Sequence, residues 1–563
     1  MSQVLLPKNE TYNLSNYEET YKDFKWDSVH PHFSWYTTKK VNMAYECMDR
    51  HVEDGYGEKV ALIYINGETK DTLTFSELKQ KTDEWAHILK SQEVKKGDRV
   101  FVFLPKHPDC YIAILAGIKI GAVVGPLFEA FMEEAIYDRM YDCEASVLIT
   151  HSDLLDRVPL DRLPHLKTVL TTDDSEHPFA KSISNLLAST PIVGGITEWV
   201  DLDDGMIIHY TSGSTGKPKG VLHAHRVMIQ QFQTGRWVLD LKEDDVYWCT
   251  AHPGWVTGSS YGIFAPWLNR STIVVHGGRF QAEEWFQVIE DTGVTVWYSA
   301  PTAFRLLMEK TQTVKEYNLS TLRHILSVGE PLNPEAITWG KEVLDLRIHD
   351  TWWMTETGAQ LIVNLPSEPI KPGSMGRPIP GVEVSIIDLD GKEVRRGELG
   401  LLAIKKGWPS LMKEIWKNKE KFLSYFANDW YVSGDLATMD EEGYVFFQGR
   451  NDDMINSSGE RIGPFEVESK LIEHPAVVEA AVIGKPDPVR GEIVKAFIVL
   501  TEGYTANVEL LKEIQSFVRY KLSAHAAPRE IEVIAELPKT QISGKILRRV
   551  LKAQELEKLS ILA

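Results

Sequence analysis

Short apolar runs rich in β-branched residues alternate along most of the chain with longer stretches patterned as helices. The runs DRVFVFL (98–104), GAVVGPL (121–127), ASVLIT (145–150) and KTVLTT (167–172) are followed by STIVVHG (271–277), VTVWYSA (294–300) and LRHILSVG (322–329). Between them, residues 109–120, AEEWFQVIEDTG (282–293) and TAFRLLMEK (302–310) carry helical patterns. This alternation predicts an α/β fold of mostly parallel sheets covered by helices. A β-rich stretch follows in VEVSIID, GELGLLAIK and GYVFFQGR. The stretch from Cys110 to Phe128 approaches membrane-spanning length. Lys119 and glycines interrupt it and its second half is strand-like, so it reads as a buried helix passing into a buried strand.

The texture changes at GRNDD. From Asn451 the chain gives a polar turn, NDDMINSSGERIG, then a helix PFEVESKLIEH, strands VVEAAVIGK and VKAFIVL, and a helix from Asn507 to Leu522. That pattern predicts a small α+β domain at residues 451–563, behind a large core at residues 1–450 that includes the β-rich subdomain. At 563 residues the chain exceeds the size at which one hydrophobic core keeps growing.

Composition adds exclusions. With 43% hydrophobic and 25% charged residues the chain is ordinary for a globular protein. A formal net charge of -19 disfavours nucleic acid and anionic membranes as partners while permitting a local basic site for a phosphorylated ligand. Cys47, Cys110, Cys143 and Cys249 are widely spaced with no C-x-x-C, which suggests neither zinc nor a disulfide framework and fits a reducing cytoplasm. The N-terminus lacks a basic region followed by an apolar core, so no signal peptide is expected.

Candidate chemistry concentrates in two places. YTSGSTGKPKG (210–220) packs three glycines, four aliphatic hydroxyls and two lysines into eleven positions. Such a run buries little apolar surface, but presents backbone N–H groups, hydroxyls and ammonium charges to a polyphosphate; the alternative is a surface turn. It is not a Walker A loop, because Thr211 stands where the first glycine belongs and Pro218 follows Lys217. It is not a G-x-S-x-G nucleophile elbow either. The second place is HDTWWMTETG (349–358), where one indole can stack on a base, the other can wall a pocket, and Glu356 can hold a magnesium ion that also touches phosphate; a core pair beside a polar loop is the alternative. His223 and His225 could share one strand face, but no third metal ligand is evident. His474 reads as a helix-end histidine.

Taken together with SVGEPLNPE, YVSGDLA, GRNDDMINSSGERIGPFEVE and SGKILRR, these blocks and their order resemble the adenylate-forming superfamily of acyl-CoA synthetases, luciferases and peptide-synthetase adenylation domains. The likeness runs from about Tyr17 to about Leu551. GWVTGSSYGIFAPW, YSAPTAFR and DTWWMTETG look most like the acetyl-CoA synthetase family in its short bacterial form. The resemblance implies a nucleotide site of Thr211, Ser212, Gly213, Ser214, Thr215, Gly216, Lys217 and Lys219 at the phosphates. It implies Gly329, Glu330, Pro331, Asp350, Thr351 and Trp352 around the base, Trp353 and Met354 also in the nucleotide site, and Asp435 and Arg450 at the ribose. It sets Thr355 and Glu356 by phosphate and Mg2+, and Arg461 near the phosphates. Trp353, Val256, Thr257 and Val328 would form the acyl pocket; Thr257, Ala300, Ser458, Gly459 and Arg519 would line the coenzyme A path.

Lys545 matches the family lysine that bridges the attacking carboxylate and the α-phosphate, a task suited to a point charge on a flexible stem. The segment PKTQISGK is one residue longer before that lysine than the family pattern. The implied activity joins acetate, ATP and coenzyme A into acetyl-CoA, AMP and pyrophosphate through an acetyl-adenylate, with a rotation about Asp452 exchanging Lys545 for the Gly459 segment. The implied lysine regulation is acetylation of Lys545 by an acetyltransferase, reversed by a deacetylase. The competing readings are a propionyl or short-chain acyl-CoA synthetase, an enzyme that acylates a carrier protein, and a nonenzymatic nucleotide-binding regulator. No carrier-attachment domain is expected after the small domain.

Overall fold

The computed structural model describes residues 4–8, 11–212, 217–457, 460–487, 490–539 and 546–562. Two large sheets form the framework. Among the described residues the first has nine strands, and its parallel centre runs Ile348–Trp352, His324–Val328, Val296–Ser299, Val246–Cys249, Thr272–His276 and Val60–Asn66. The second has eight, with Gly205–Ser212, Val123–Leu127, Arg99–Phe103, Val147–Thr150 and Thr168–Thr171 parallel to one another. The apolar runs legible in the sequence are these strands. Buried on both faces, they read as continuous rather than alternating apolar segments.

Each strand divides its side chains between two helical layers. Leu62, Tyr247 and Ile273 of the first sheet and Val100 and Val102 of the second share one core with helices Phe75–Ser91, Pro108–Lys119 and Val227–Trp237. Trp248 and Val274, next in sequence to Tyr247 and Ile273, and Trp297 pack outward with helices Ala282–Thr292, Pro301–Met308 and Pro334–Leu344. Phe101, Phe103 and Leu148 do the same with helix Glu133–Asp142. Helix–sheet–helix–sheet–helix layering follows.

Helix Pro108–Lys119 explains the stretch that approached membrane-spanning length: it lies between two sheets and is apolar nearly all round, with strand Val123–Leu127 after it. Among the described residues no helix is long and apolar enough to cross a membrane. Lys119, only 1% exposed, is held by Asp49 at 2.8 Å and by Asp83, so the charge that interrupted the apolar run is paired inside the protein.

The β-rich stretch forms a third sheet, in which Val384–Ile387 pairs with Gly400–Lys405 and the latter with the long strand Trp430–Met439, which also pairs with Val445–Arg450. The C-terminal α+β part has its own core of Ile455, Val467, Leu471, Val482, Ile498 and Ile514. Its central pair is the antiparallel Val477–Asp487 and Gly491–Leu500, with helices Pro464–Ile472 and Val508–Lys521. One expectation changes here. The polar segment 451–463 is not a simple turn: strands Ile455–Ser457 and Glu460–Ile462 pair antiparallel, because Ile455 and Ile462 lie opposite each other and both are fully buried.

Candidate active site

The C-terminal edges of both parallel sheets meet. A Cβ on Gly254, in the loop after Val246–Cys249, would lie 2.5 Å from the backbone of Leu127 and Phe128, at the end of a strand of the other sheet. The Nε2–H of His252 donates to Leu104 O at 3.0 Å across the same junction, and Lys106 Nζ donates to Thr250 O at 3.4 Å. Crevices outside the carboxyl ends of parallel strands are where open α/β sheets bind ligands.

The strand that leads into the glycine-rich segment runs parallel to Val123–Leu127 and ends on the same side. Strands Gly205–Ser212 and Pro218–Ala224 form an antiparallel hairpin with Thr211 opposite Lys219. Gly213, Ser214, Thr215 and Gly216 lie outside the described residues, as does the side chain of Ser212. Thr211 Oγ1 is buried without a hydrogen-bond partner among the described residues, and Lys217 is exposed. An orphaned buried hydroxyl beside a polar loop fits a site that a polar ligand completes.

Lys219 turns inward, its ammonium 2.8 Å from Oε1 of Glu356, which is 4% exposed. The hydroxyl of Tyr425 donates to the same Oε1 at 3.0 Å and also contacts Lys219 Nζ. Lys219 sits over the Tyr425 ring, 4.7 Å from its centroid, and that ring stacks on Tyr431 at 5.7 Å. The segment bearing Glu356 is fixed from two sides. His223 Nε2–H donates to Thr355 O at 2.7 Å, and Met412 N donates to Glu356 O at 3.0 Å.

Around the expected base and ribose positions the side chains are already engaged. Gly329 adopts φ 91, which glycine tolerates at the exit of strand His324–Val328. The Glu330 carboxylate accepts from Thr302 Oγ1 at 2.7 Å and Arg305 Nη2 at 2.8 Å. Burial pushes the Asp350 carboxyl up to about 7, and it accepts from Thr351 N at 3.0 Å. Thr351 Oγ1 donates to Ser327 O at 2.7 Å inside the sheet, so any ligand contact from Thr351 runs through its backbone. Trp352 Nε1 donates to Asp435 Oδ2 at 2.8 Å, while Arg450 reaches Oδ1 at 3.1 Å. Register explains the last pair, since Asp435 lies directly opposite Arg450.

The two adjacent indoles do point apart. Trp353 Nε1 donates to Tyr298 OH at 3.2 Å, and its ring meets Tyr261 edge-on at 5.1 Å. Tyr298 also accepts from Gln360 Nε2 at 3.0 Å and donates to Thr351 Oγ1 at 2.7 Å. Val328 joins the same core as these rings, and Val256 and Thr257 open the short helix Val256–Ser259 that leads into Tyr261. Met354 Sδ accepts from Tyr431 OH at 3.6 Å. Ala300 caps helix Pro301–Met308 at the same strand edge.

One expected residue is not brought into this cluster. Arg519 is exposed on helix Val508–Lys521. Ser458, Gly459 and Lys545 lie outside the described residues, as do the side chains of Asp452 and Arg461. His223 and His225 do not share a metal-facing surface: His223 lies within strand Pro218–Ala224 and donates to Thr355 O, whereas His225 follows the strand and its Nδ1 accepts from Met43 N at 3.1 Å. Among the described residues no group of three or more His, Cys, Asp or Glu side chains is placed to hold a metal ion. His474, at the end of helix Pro464–Ile472, is buried with its Nδ1 accepting from Ala476 N at 3.2 Å. Sequence reading missed Tyr425, Tyr298 and the Thr302–Arg305 pair. Only the last left a signal, two polar residues at i,i+3 near a helix start otherwise apolar.

Several histidines at this junction are buried and neutral. Desolvation lowers His209 and His252 to about 3 and His223 to about 4. Their folded values lie below the unfolded value near 6.5, so the unfolded chain takes up protons first as the pH falls. The stability they contribute is complete above about pH 6.5 and is lost toward pH 4, with a slope of up to about 1.4 kcal/mol per pH unit for each ring. Urea midpoints measured from pH 7.5 to pH 4.5 should be level at first and then fall below about pH 6.5. A profile flat to pH 5 would show that these rings stay accessible to protons.

A family model described as AMP-binding enzyme matches residues 49–416, and one described as AMP-binding enzyme C-terminal domain matches residues 466–545. The acetyl-coenzyme A synthetase of Bacillus subtilis (strain 168) is 58% identical over 565 aligned residues, covering 99% of this chain and 98% of that protein. The acetyl-coenzyme A synthetase of Methanothrix thermoacetophila is 39% identical, covering 94% of this chain and 85% of that one. Among solved structures, an acyl-CoA synthetase from Brucella canis aligns with TM-score 0.76 at 34% identity, over 97% of this chain and 100% of that chain. The anthranilate CoA ligase AuaEII in complex with anthranoyl-AMP aligns with TM-score 0.85 at 28% identity, over 93% and 98%.

Proposed function

The chain belongs to the AMP-binding enzyme family, and from that premise we propose that it is an AMP-forming acetate–CoA ligase. An acetate oxygen attacks the α-phosphorus of ATP and pyrophosphate leaves. The coenzyme A sulfur then attacks the acetyl carbonyl of the mixed anhydride and AMP leaves, giving acetyl-CoA. A carboxylate resists attack by a thiol, and activation as the adenylate removes that resistance. Two relatives named acetyl-coenzyme A synthetase and the AuaEII neighbour with its bound acyl-adenylate support this reading.

The observation that carries the mechanism is the Lys219–Glu356 pair where the two sheet edges meet, beside the orphaned Thr211 hydroxyl. Lys219, Lys217 and the loop hydroxyls neutralise charge on the departing pyrophosphate. Trp352 and Arg450 hold Asp435 ready to accept from the ribose hydroxyls. Both donors to Glu356 fall on Oε1, and Oε2 takes no hydrogen bond among the described residues, so a hard oxygen is available to Mg2+. Bound there with ATP, Mg2+ supplies charge neutralisation to the phosphates. The acyl pocket is bounded by Trp353, Val256, Thr257 and Val328, and Ser458, Gly459, Ala300 and Arg519 serve the coenzyme A path. Lys545 acts in the first half-reaction, and a rotation near Asp452, between a core of residues 1–450 and a domain of residues 451–563, exchanges it for Gly459 in the second. Acetylation of Lys545 by a lysine acetyltransferase would remove its charge, and a deacetylase would restore it. Four buried free thiols fit residence in a reducing cytoplasm.

A panel of carboxylates in ATP–pyrophosphate exchange tests the assignment. Acetate should support the fastest exchange, propionate a slower one, and acetyl-CoA should form with free coenzyme A. Exchange without acetyl transfer to coenzyme A would favour a carrier-protein acceptor, and a panel led by a longer acid would overturn acetate as the substrate.

A further inference from the structure

Tyr425 lies in none of the motifs that mark the nucleotide site, yet it touches both charged groups at the centre of that site. Its hydroxyl donates to Glu356 Oε1 at 3.0 Å and contacts Lys219, whose ammonium lies 2.8 Å from the same oxygen. The ring is held in turn: it stacks on the fully buried Tyr431 with planes 11° apart, and the Tyr431 hydroxyl reaches Met354 Sδ, two residues before Glu356. Tyr425 N–H and backbone contacts to Phe422 and Val432 tie it to the third sheet, independent of the phosphate loop.

Lys219 and Tyr425 are unequal anchors. A lysine is a flexible point charge, and when ATP enters beside the loop its ammonium has phosphate oxygens to follow. A phenol locked in a ring stack has no such freedom. We infer that Tyr425 is a positioning residue, which keeps Oε1 of Glu356 anchored when Lys219 moves to the phosphates, so that Oε2 stays presented to the Mg2+ that accompanies ATP. Before ATP arrives, the same contacts let Lys219 and Glu356 neutralise each other, which spares the half-buried site an uncompensated charge. This inference rests on the ATP-dependent reading above.

Tyr425→Phe removes the hydroxyl and keeps the stack and the ring beneath Lys219. ATP affinity is read by calorimetry on the full-length protein, at saturating and at limiting free Mg2+. At saturating Mg2+ the variant should bind ATP within about twofold of wild type; at limiting Mg2+ its affinity should fall about tenfold further, the loss of one hydrogen bond to a charged group. Its adenylation kcat should drop while the KM for acetate, the rate of thioester formation from supplied acetyl-adenylate and the Tm stay unchanged. An equal affinity ratio at both Mg2+ levels, or a fall in Tm with all half-reactions slowed together, would reduce Tyr425 to packing and overturn the inference. Failure of wild-type protein to bind ATP at any Mg2+ level would instead sink the ATP-dependent reading itself.

Discussion

Adenylate formation should fall by at least about a hundredfold in Lys545→Ala, while thioester formation from supplied acetyl-adenylate continues near the wild-type rate. Bringing a carboxylate against an α-phosphate sets two anions in contact, and their repulsion grows as the cleft excludes water. A cation between them is worth more in that transition state than in either separated reactant, which is the condition for raising kcat rather than only tightening binding. The second half-reaction opposes a sulfur nucleophile to a carbonyl carbon with AMP as the leaving group. It has no comparable anion pair to screen. Lys545 lies outside the described residues, but the residues on either side of its segment are anchored: Lys539 and Ile546 pair as an antiparallel bridge, and Arg548 binds Glu468 at 2.5 Å. Those anchors are made by other residues, so alanine at 545 should leave them intact. Pyrophosphate exchange reads the first step, and acetyl-CoA released from acetyl-adenylate reads the second. Equal loss in both would assign Lys545 to packing or to both conformations, and the proposed division of labour would fail.

What could be read from the sequence, and what could not, divides by the range of the interactions. Apolar runs report burial on both faces, which is a local property, so strands such as Thr272–His276 and helix Pro108–Lys119 were legible. The two blocks YTSGSTGKPKG and HDTWWMTETG pointed to one expected nucleotide site, and the structure brings Lys219 of the first against Glu356 of the second. Long-range partners were not legible. Lys119 looked like an interruption until Asp49 and Asp83 enclosed it, and nothing in KFLSYFAND marks Tyr425 as a neighbour of a carboxylate 69 positions earlier. The hairpin 455–462 was hidden by its polar residues, because two opposed isoleucines are too short a signal to reveal a period of two. Paired histidine spacing misled for a related reason. A strand alternation placed His223 and His225 on one face, but the strand ends at Ala224 and the chain turns away.

Replacing Trp353 with glycine should move the substrate preference from acetate to acids of four to six carbons. In the proposed acyl pocket the indole is a fixed wall: Tyr298 OH accepts its N–H at 3.2 Å and Tyr261 meets its ring edge-on at 5.1 Å. A wall that cannot swing aside makes a longer chain clash, even though each extra buried methylene would contribute about 0.8 kcal/mol if space existed. Wild type should therefore use propionate less well, by about tenfold or more for one methylene, and butyrate hardly at all. Loss of the indole need not collapse the surroundings. Tyr298 keeps its bonds to Thr351 at 2.7 Å and Gln360 at 3.0 Å, and the Tyr261 hydroxyl still accepts from Gln360 N at 2.8 Å. The vacated volume is thus bordered by side chains that retain their partners, and apolar chain segments of the substrate can fill it. Acetate, too short to reach the new end of the pocket, loses contact surface and should weaken. Values of kcat/KM for acetate through hexanoate in both proteins, with Tm as a check on folding, decide the matter: an unchanged ranking in a folded variant would remove Trp353 from the acyl pocket and shift the origin of chain-length selection to Val256, Thr257 and Val328.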